Sequence, residues 1–128
     1  MEKLVNCNWI VDIEVISKIT GGAQTYEIEF GSSDGKAYKL TFSTVWDIRC
    51  MIENACLDRS TKFCHHEQSK SSILLIQNSA YLEYFKHQVS GTRPTDELKD
   101  YIIFDKVDTI IEVLTIDDPV LAEITLEE

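Results

Sequence analysis

Basic residues, prolines and long apolar stretches are all scarce in this 128-residue sequence. It has 12 lysines and arginines against 22 aspartates and glutamates, with two prolines and five glycines. Because disordered chains are poor in apolar residues, a hydrophobic content of 44% favours a folded protein. The length suits one ordinary domain, so we expect a single domain over residues 1–128.

Apolar runs are too short for a membrane-spanning helix, which needs about 18 uncharged apolar residues. The N-terminal stretch also lacks the pattern of a secretory signal peptide, because Asp12 and Glu14 interrupt it. We therefore expect a cytoplasmic protein and no membrane partner. In that reducing compartment the four cysteines are expected to be free thiols: Cys7, Cys50, Cys56 and Cys64.

The shortage of positive charge is greatest near the C-terminus. Residues 91–128 contain eleven acidic and three basic residues, a formal charge of −8 within a total of −10. Such a charge repels phosphate backbones and anionic lipids and attracts basic proteins. Composition therefore disfavours nucleic-acid binding and favours a basic protein partner.

Motifs that carry chemistry are absent from the sequence. It has no phosphate-binding glycine loop, nucleophile elbow, dinucleotide fingerprint or zinc-binding helix motif. Cys64, His65 and His66 are adjacent, but structural zinc sites usually use two spaced pairs of ligands. A thiol nucleophile needs a separate base within hydrogen-bond reach. We expect no catalytic residue, metal or cofactor, and keep a small metal- or thiol-dependent enzyme as the least favoured alternative.

Alternating apolar residues predict three strands in the first part of the chain. Residues 9–15 alternate up to a stop at Gly21-Gly22, and residues 26–30 and 38–42 flank the turn pair Asp34-Gly35. Further strands are predicted over residues 71–77 and, as two or three closely connected strands, over the segment from Asp100. A helix over 108–114 remains an alternative.

Two segments have helical spacing instead. In the first, Thr44 is a plausible N-cap, Arg49 and Glu53 lie at i and i+4, and one apolar stripe comprises Ile48, Met51, Ile52, Ala55 and Cys56. In the second, Asn78 or Ser79 is the cap, Gly91 the end, and the stripe comprises Leu82, Phe85 and Val89. We therefore predict an α+β fold: a mainly antiparallel sheet of about six strands with two helices on one face.

Three segments resemble a known kind of protein: "FSTVWDIRCMIENACLDR", "IQNSAYLEYFKHQVSGTRP" and "DYIIFDKVDTIIEVLTIDDP". Over about residues 40–120 the chain is similar to small bacterial immunity proteins, of the kind seen in Bacillus and its relatives. These are encoded beside polymorphic or contact-dependent toxins.

The resemblance implies a non-enzymatic inhibitor that binds and neutralises a cognate toxin domain, often a basic nuclease. Acidic side chains would then steer association and occupy the groove meant for phosphates. The residues expected to bind this partner are the acids of the C-terminal strands and turns: Asp105, Asp108, Glu112, Asp117, Asp118 and Glu123. The alternative reading is a structural or regulatory module that self-associates through an exposed edge strand. On that reading the charge only maintains solubility.

Overall fold

Antiparallel strands make up most of the structure, a computed structural model that describes residues 2–7, 9–52, 71–89 and 95–125. The described residues form nine strands and one helix. In chain order these are β1 (Lys3–Asn6), β2 (Ile13–Gly22), β3 (Thr25–Ser32), β4 (Ala37–Phe42), β5 (Val45–Ile52), β6 (Ile73–Gln77), α1 (Ala80–Val89), β7 (Lys99–Phe104), β8 (Thr109–Thr115) and β9 (Val120–Ile124).

The strands form two sheets. Sheet A has the order β1-β6-β7-β8-β5 and sheet B has the order β2-β3-β4-β9, with antiparallel pairing throughout. Two connections, β4 to β5 and β8 to β9, pass between the sheets side by side, because β4 pairs with β9 and β5 pairs with β8. At this corner the backbone N–H of Asp117 donates to Thr44 Oγ1 over 2.8 Å.

The main core lies between the sheets. Alternate residues of β3 and β4 face inward as predicted, and Gly35 takes a φ of 83° in the turn that joins them. Because that left-handed conformation is easy only for glycine, the Asp34-Gly35 pair fixes the register of this hairpin. The residues buried to 2% exposure or less include Ile28, Phe30, Leu40 and Phe42 from sheet B, with Tyr101, Ile103, Ile111 and Val113 from sheet A.

Sheet A is buried on its other face as well. A second apolar cluster there consists of Leu74, Ile76, Ile102, Phe104 and Ile110. Helix α1 lies over part of this face, where its Phe85 ring packs edge-on against Trp46 with centroids 6.3 Å apart. We call the face of sheet A that α1 lies over the helix-covered face.

The predicted α+β fold is wrong. The first predicted helix is strand β5 over its described residues, and Ala55 and Cys56 lie outside the described part of the chain. Ile48 packs into the core between the sheets, whereas Met51 packs on the other face with the second cluster. A strand buried on both faces loses its period-two alternation, so this spacing imitated a helical stripe. The described residues form a nearly all-β structure with one short helix.

The second predicted helix is confirmed as α1. Ser79 is its N-cap, because Ser79 Oγ accepts a hydrogen bond from the backbone N–H of Leu82 at 3.0 Å. The predicted end at Gly91 lies outside the described residues.

The predicted strands are confirmed with two adjustments. Residues 9–12 precede β2, and two register shifts between Ile13 and Lys18 turn Ile16 toward the core and leave Val15 44% exposed. Bulges of this kind break a simple alternation. The C-terminal segment forms three strands, so the alternative helix over 108–114 is wrong.

Candidate protein-binding site

The six carboxylates predicted to bind a partner do not form one surface. Asp105 and Asp108 lie in the turn between β7 and β8, whereas Asp117 and Asp118 lie at the corner beyond the other end of β8. At about 3.4 Å per residue, the six steps from Thr109 to Thr115 along β8 alone separate these pairs by about 20 Å. Sequence proximity therefore does not gather the acids on one patch.

Glu112 is enclosed in the structure. Its side chain has 0% exposure and pairs with Arg49, whose Nη2 lies 3.2 Å from Glu112 Oε1 on the neighbouring strand. The predicted helical partner of Arg49, Glu53, lies outside the described residues. In this conformation Glu112 cannot touch another protein, and we leave it out of the binding surface.

Asp118 also has a structural role. Its Oδ1 accepts from Lys99 Nζ at 2.7 Å and from the Tyr101 hydroxyl at 2.5 Å. Lys99 and then Tyr101 hold the pKa of Asp118 below its ordinary value. The pKa of Tyr101 is raised by burial and by this bond to a carboxylate. Asp118 thus holds in place the corner at which the chain passes from sheet A to sheet B.

Asp105 organises the opposite turn. Its Oδ1 accepts from the backbone N–H groups of Val107, Asp108 and Thr109 at 3.0 to 3.1 Å. Its Oδ2 accepts from the N–H of Ile16 at 2.9 Å, which ties this turn to β2. Asp105 therefore holds Asp108 and Lys106 beside the start of sheet B.

That tie brings together acids that are far apart in the sequence. Lys106 Nζ lies 3.0 Å from both Asp12 and Glu14, and the backbone N–H of Ser33 donates to the carbonyl of Asp12 at 2.9 Å. Glu123 joins them because β9 runs back from the corner and places it opposite Tyr38. We call this surface the acidic end: Asp12, Glu14, Asp34, Asp105, Asp108 and Glu123.

Two lysines, Lys36 and Lys106, lie beside the six carboxylates of the acidic end. Together these eight described side chains have a formal charge of −4. All but Asp105 are exposed. The sequence predicted Asp105, Asp108 and Glu123 as partner-binding residues and did not predict the other three acids of this surface. The missed acids lie 70 or more residues before Asp105, and no local pattern foretells a contact over that separation.

A groove of about 390 Å³ opens beside the acidic end. Trp9, Tyr38 and Leu121 give it apolar walls, and Ile10 at its edge is 71% exposed. Asp12 and Asp34 also line it. The groove therefore places carboxylates next to exposed apolar surface, the combination that a basic side chain with an aliphatic stem can use.

Asp34 is held in place within this groove. Its Oδ2 accepts from the Tyr38 hydroxyl at 2.7 Å and its Oδ1 from the backbone N–H of Lys36 at 2.8 Å. Tyr38, and then Lys36, lower the pKa of Asp34, so the carboxylate is ionised at neutral pH. The pKa of Tyr38 is raised by its bond to Asp34 and by the nearby charges of Asp34 and Glu123.

The helix-covered face holds a second group of polar side chains. Ser79 donates to Asp100 at 2.5 Å, the Tyr81 hydroxyl donates to Asp47 at 2.7 Å, and the Arg49 guanidinium lies 3.9 Å from the Tyr81 ring centroid. Burial, and then Asp47, raise the pKa of Tyr81. Because Ser79 also caps α1, these contacts fasten the helix to sheet A rather than present a nucleophile.

Among the described residues no group of three or more histidines, cysteines and carboxylates is placed to hold a metal ion. The Cys64, His65 and His66 triplet lies outside them, as does Cys56. Cys7 and Cys50 are free thiols. In the part of the chain that the structure covers, the helix is too short to cross a bilayer.

Comparisons with protein-family models, with curated proteins and with solved structures found no match.

Proposed function

We propose that this protein is a non-enzymatic, cytoplasmic binding protein that docks a basic protein domain on its acidic end. The partner we infer is a toxin domain that the protein neutralises, in line with the resemblance of residues 40–120 to immunity proteins. The observation that carries the proposal is the convergence of six carboxylates on one end of the molecule. They come from the segment before β2, from β2 itself, from the β3–β4 and β7–β8 turns and from β9.

The environment of these carboxylates supports a role in association. The side chains of Asp12 and Glu14 are about half exposed, and the one lysine that bridges them is itself 52% exposed. Exposed ion pairs contribute about 0–1 kcal/mol and exchange readily with a partner's charges. A concentrated negative potential raises the association rate of a basic partner and weakens as salt screens it.

The test is co-expression with the toxic domain encoded beside the gene for this protein. In a host whose growth that domain arrests, this protein should restore growth, and the two chains should elute from size exclusion as one complex. Growth arrest that persists in the presence of soluble protein, or separate elution, would contradict the proposal. So would the absence of any growth-arresting product from the neighbouring genes.

A second candidate is self-association through an edge of sheet B. Strand β9 pairs only with β4 among the described strands, and its Val120 is 63% exposed. An unpaired edge can add a strand from another copy. Sedimentation in 0.5 M NaCl separates the two ideas, because a backbone-paired dimer should persist there. Association through the acidic end should weaken.

A further inference from the structure

We infer that the groove beside the acidic end is a receptor for one arginine side chain of the basic partner. The aliphatic stem would lie on Trp9, Tyr38 and Leu121, and the guanidinium would reach Asp34 and Glu123. This inference rests on the proposed function and adds to it the residue type that the groove reads.

The groove has preformed apolar walls. Its apolar walls come from three separate segments: Trp9 before β2, Tyr38 at the start of β4, and Leu121 on β9. Tyr38 stacks on the Phe30 ring, with centroids 5.7 Å apart, so one wall is backed by the core. A preformed wall costs little ordering on binding, which favours affinity.

Two carboxylates lie beside one aromatic ring of the groove. Asp34 and Glu123 both lie beside Tyr38: Asp34 Oδ2 accepts from its hydroxyl, and Glu123 is directly opposite it on β9. The hydrogen bond to Asp34 and the charges of both carboxylates raise the pKa of the Tyr38 hydroxyl, in agreement with this placement. A cation above Tyr38 would therefore meet two carboxylates at once.

The chemistry of the groove favours an arginine side chain over a lysine side chain. A guanidinium is planar, weakly hydrated and able to stack on an aromatic face while it donates to carboxylates in its own plane. A lysine ammonium is a compact, strongly hydrated charge that loses more solvation in an apolar groove. The aromatic walls beside Asp34 and Glu123 therefore favour arginine.

The carboxylates of Asp34 and Glu123 are available to a partner. Asp12 is occupied by Lys106, but Glu123 forms no ion pair with the described residues, and Asp34 meets only its own turn and Tyr38. The bonds to Asp34 come from a hydroxyl and a backbone N–H, so they orient the carboxylate without neutralising it.

The test uses nuclear magnetic resonance of the ¹⁵N-labelled full chain. The probe is the peptide acetyl-Gly-Arg-Gly-Arg-Gly-amide, beside the same peptide with citrulline, a neutral isostere, or lysine at both arginine positions. The indole N–H of Trp9 should shift and saturate with the arginine peptide. The indole of Trp46, which packs against Phe85 under α1, is the internal control and should stay in place.

The expected order of affinity is arginine above lysine by threefold or more, with no saturable shift from citrulline. Glu123→Gln should weaken arginine binding at least threefold, whereas Glu97→Gln, which removes an exposed charge before β7, should change it less than 1.5-fold. Leu121→Ser, at a half-buried wall position, should weaken it without a change of charge. Its fold is checked by the unshifted Trp46 signal.

Three results would overturn the inference: a Trp9 signal that does not move, an equal response to citrulline, or equal effects of Glu123→Gln and Glu97→Gln. The co-expression test judges the proposed function separately. If the Glu123→Gln and Leu121→Ser variants still restore growth, the arginine inference is wrong and the proposed inhibitor function stands. If the groove binds arginine selectively but the protein does not restore growth, the proposed inhibitor function is wrong and the arginine inference stands.

Discussion

Carboxylates occur in two contrasting regions of this molecule. At the acidic end, Asp12 and Glu14 are exposed and share one exposed lysine. On the helix-covered face, Asp100 is 1% exposed and Glu112 is 0% exposed, each with a hydrogen-bond partner on another element. The same side-chain chemistry thus holds the fold together in one region and generates a surface potential in the other. Position in the sequence does not distinguish the two groups.

The largest difference between the regions is expected for removal of one acid from each. Glu112→Ala leaves the half-buried Arg49 without its carboxylate and empties a fully buried site. We expect the free energy of unfolding to fall by about 2–3 kcal/mol. This loss is smaller than is usual for breaking a fully buried ion pair, because the Arg49 side chain is 41% exposed and water can solvate it. Glu123→Ala at the exposed edge should change it by less than about 0.5 kcal/mol. Urea unfolding followed by circular dichroism gives both values, and equal losses would contradict the contrast.

A smaller effect is expected from paired serine substitutions. Ser79→Ala removes both the cap of α1 and the hydroxyl that binds Asp100, so we expect a loss of about 1–2 kcal/mol. Ser33→Ala, in the exposed turn before Asp34, should be nearly neutral. The same unfolding measurement applies. A neutral Ser79→Ala would mean that α1 contributes little to the stability of sheet A.

Two tyrosine hydroxyls provide a finer comparison. Tyr81→Phe keeps the ring under Arg49 but removes the hydroxyl that binds Asp47, which should cost about 1 kcal/mol. Tyr38→Phe removes an exposed bond to Asp34 and should change the unfolding free energy less. Thermal melts of the two variants under one buffer condition test the order. If Tyr38→Phe lowers the unfolding free energy more than Tyr81→Phe does, the claim that the helix-covered face stabilises the fold more than the acidic end does is wrong.

The smallest effect is a dependence on pH at the corner. Because its folded pKa is lowered, the Asp118 carboxylate stabilises the fold above its unfolded pKa of about 3.8, and this contribution is lost as pH falls through the folded value. With its side chain 51% exposed, Asp118→Asn should cost less than about 1 kcal/mol at pH 7. The difference from wild type should shrink below about pH 4. A difference that is constant from pH 7 to pH 3 would contradict this account.

Local signals in the sequence predicted the elements that carry a turn, a cap or a strongly β-forming composition. The β3–β4 hairpin follows from alternation and turn chemistry, and α1 from helical spacing and a cap at Asn78 or Ser79. The two or three strands predicted near the C-terminus follow from their β-branched and aromatic residues. Strand β5 was mistaken for a helix because both its faces are buried in part, and its apolar spacing no longer reports a period. The prediction failed where tertiary burial overrides local pattern.

The candidate site was predicted only in part, for a related reason. Net charge indicated a basic partner, but the sequence could not show that Glu112 is enclosed or that Asp118 closes a corner. Nor could it show that Asp105 reaches across to Ile16 and so brings the start of β2 alongside the β7–β8 turn. Such long-range contacts decide which charges share a surface.

The most direct test of the central claim compares two variants that each lose four negative charges. One neutralises exposed acids of the acidic end (Asp12→Asn, Glu14→Gln, Asp108→Asn and Glu123→Gln). The other neutralises exposed acids outside it (Glu83→Gln, Asp96→Asn, Glu97→Gln and Asp117→Asn).

The rates come from stopped-flow association with the proposed partner, a growth-arresting domain encoded beside the gene for this protein, measured at 20 and 150 mM NaCl. We predict that the acidic-end variant associates at least tenfold more slowly at low salt and loses most of its salt dependence, while the matched variant stays within threefold of wild type. Equal rates for the two variants would contradict the claim that the acidic end is the docking surface.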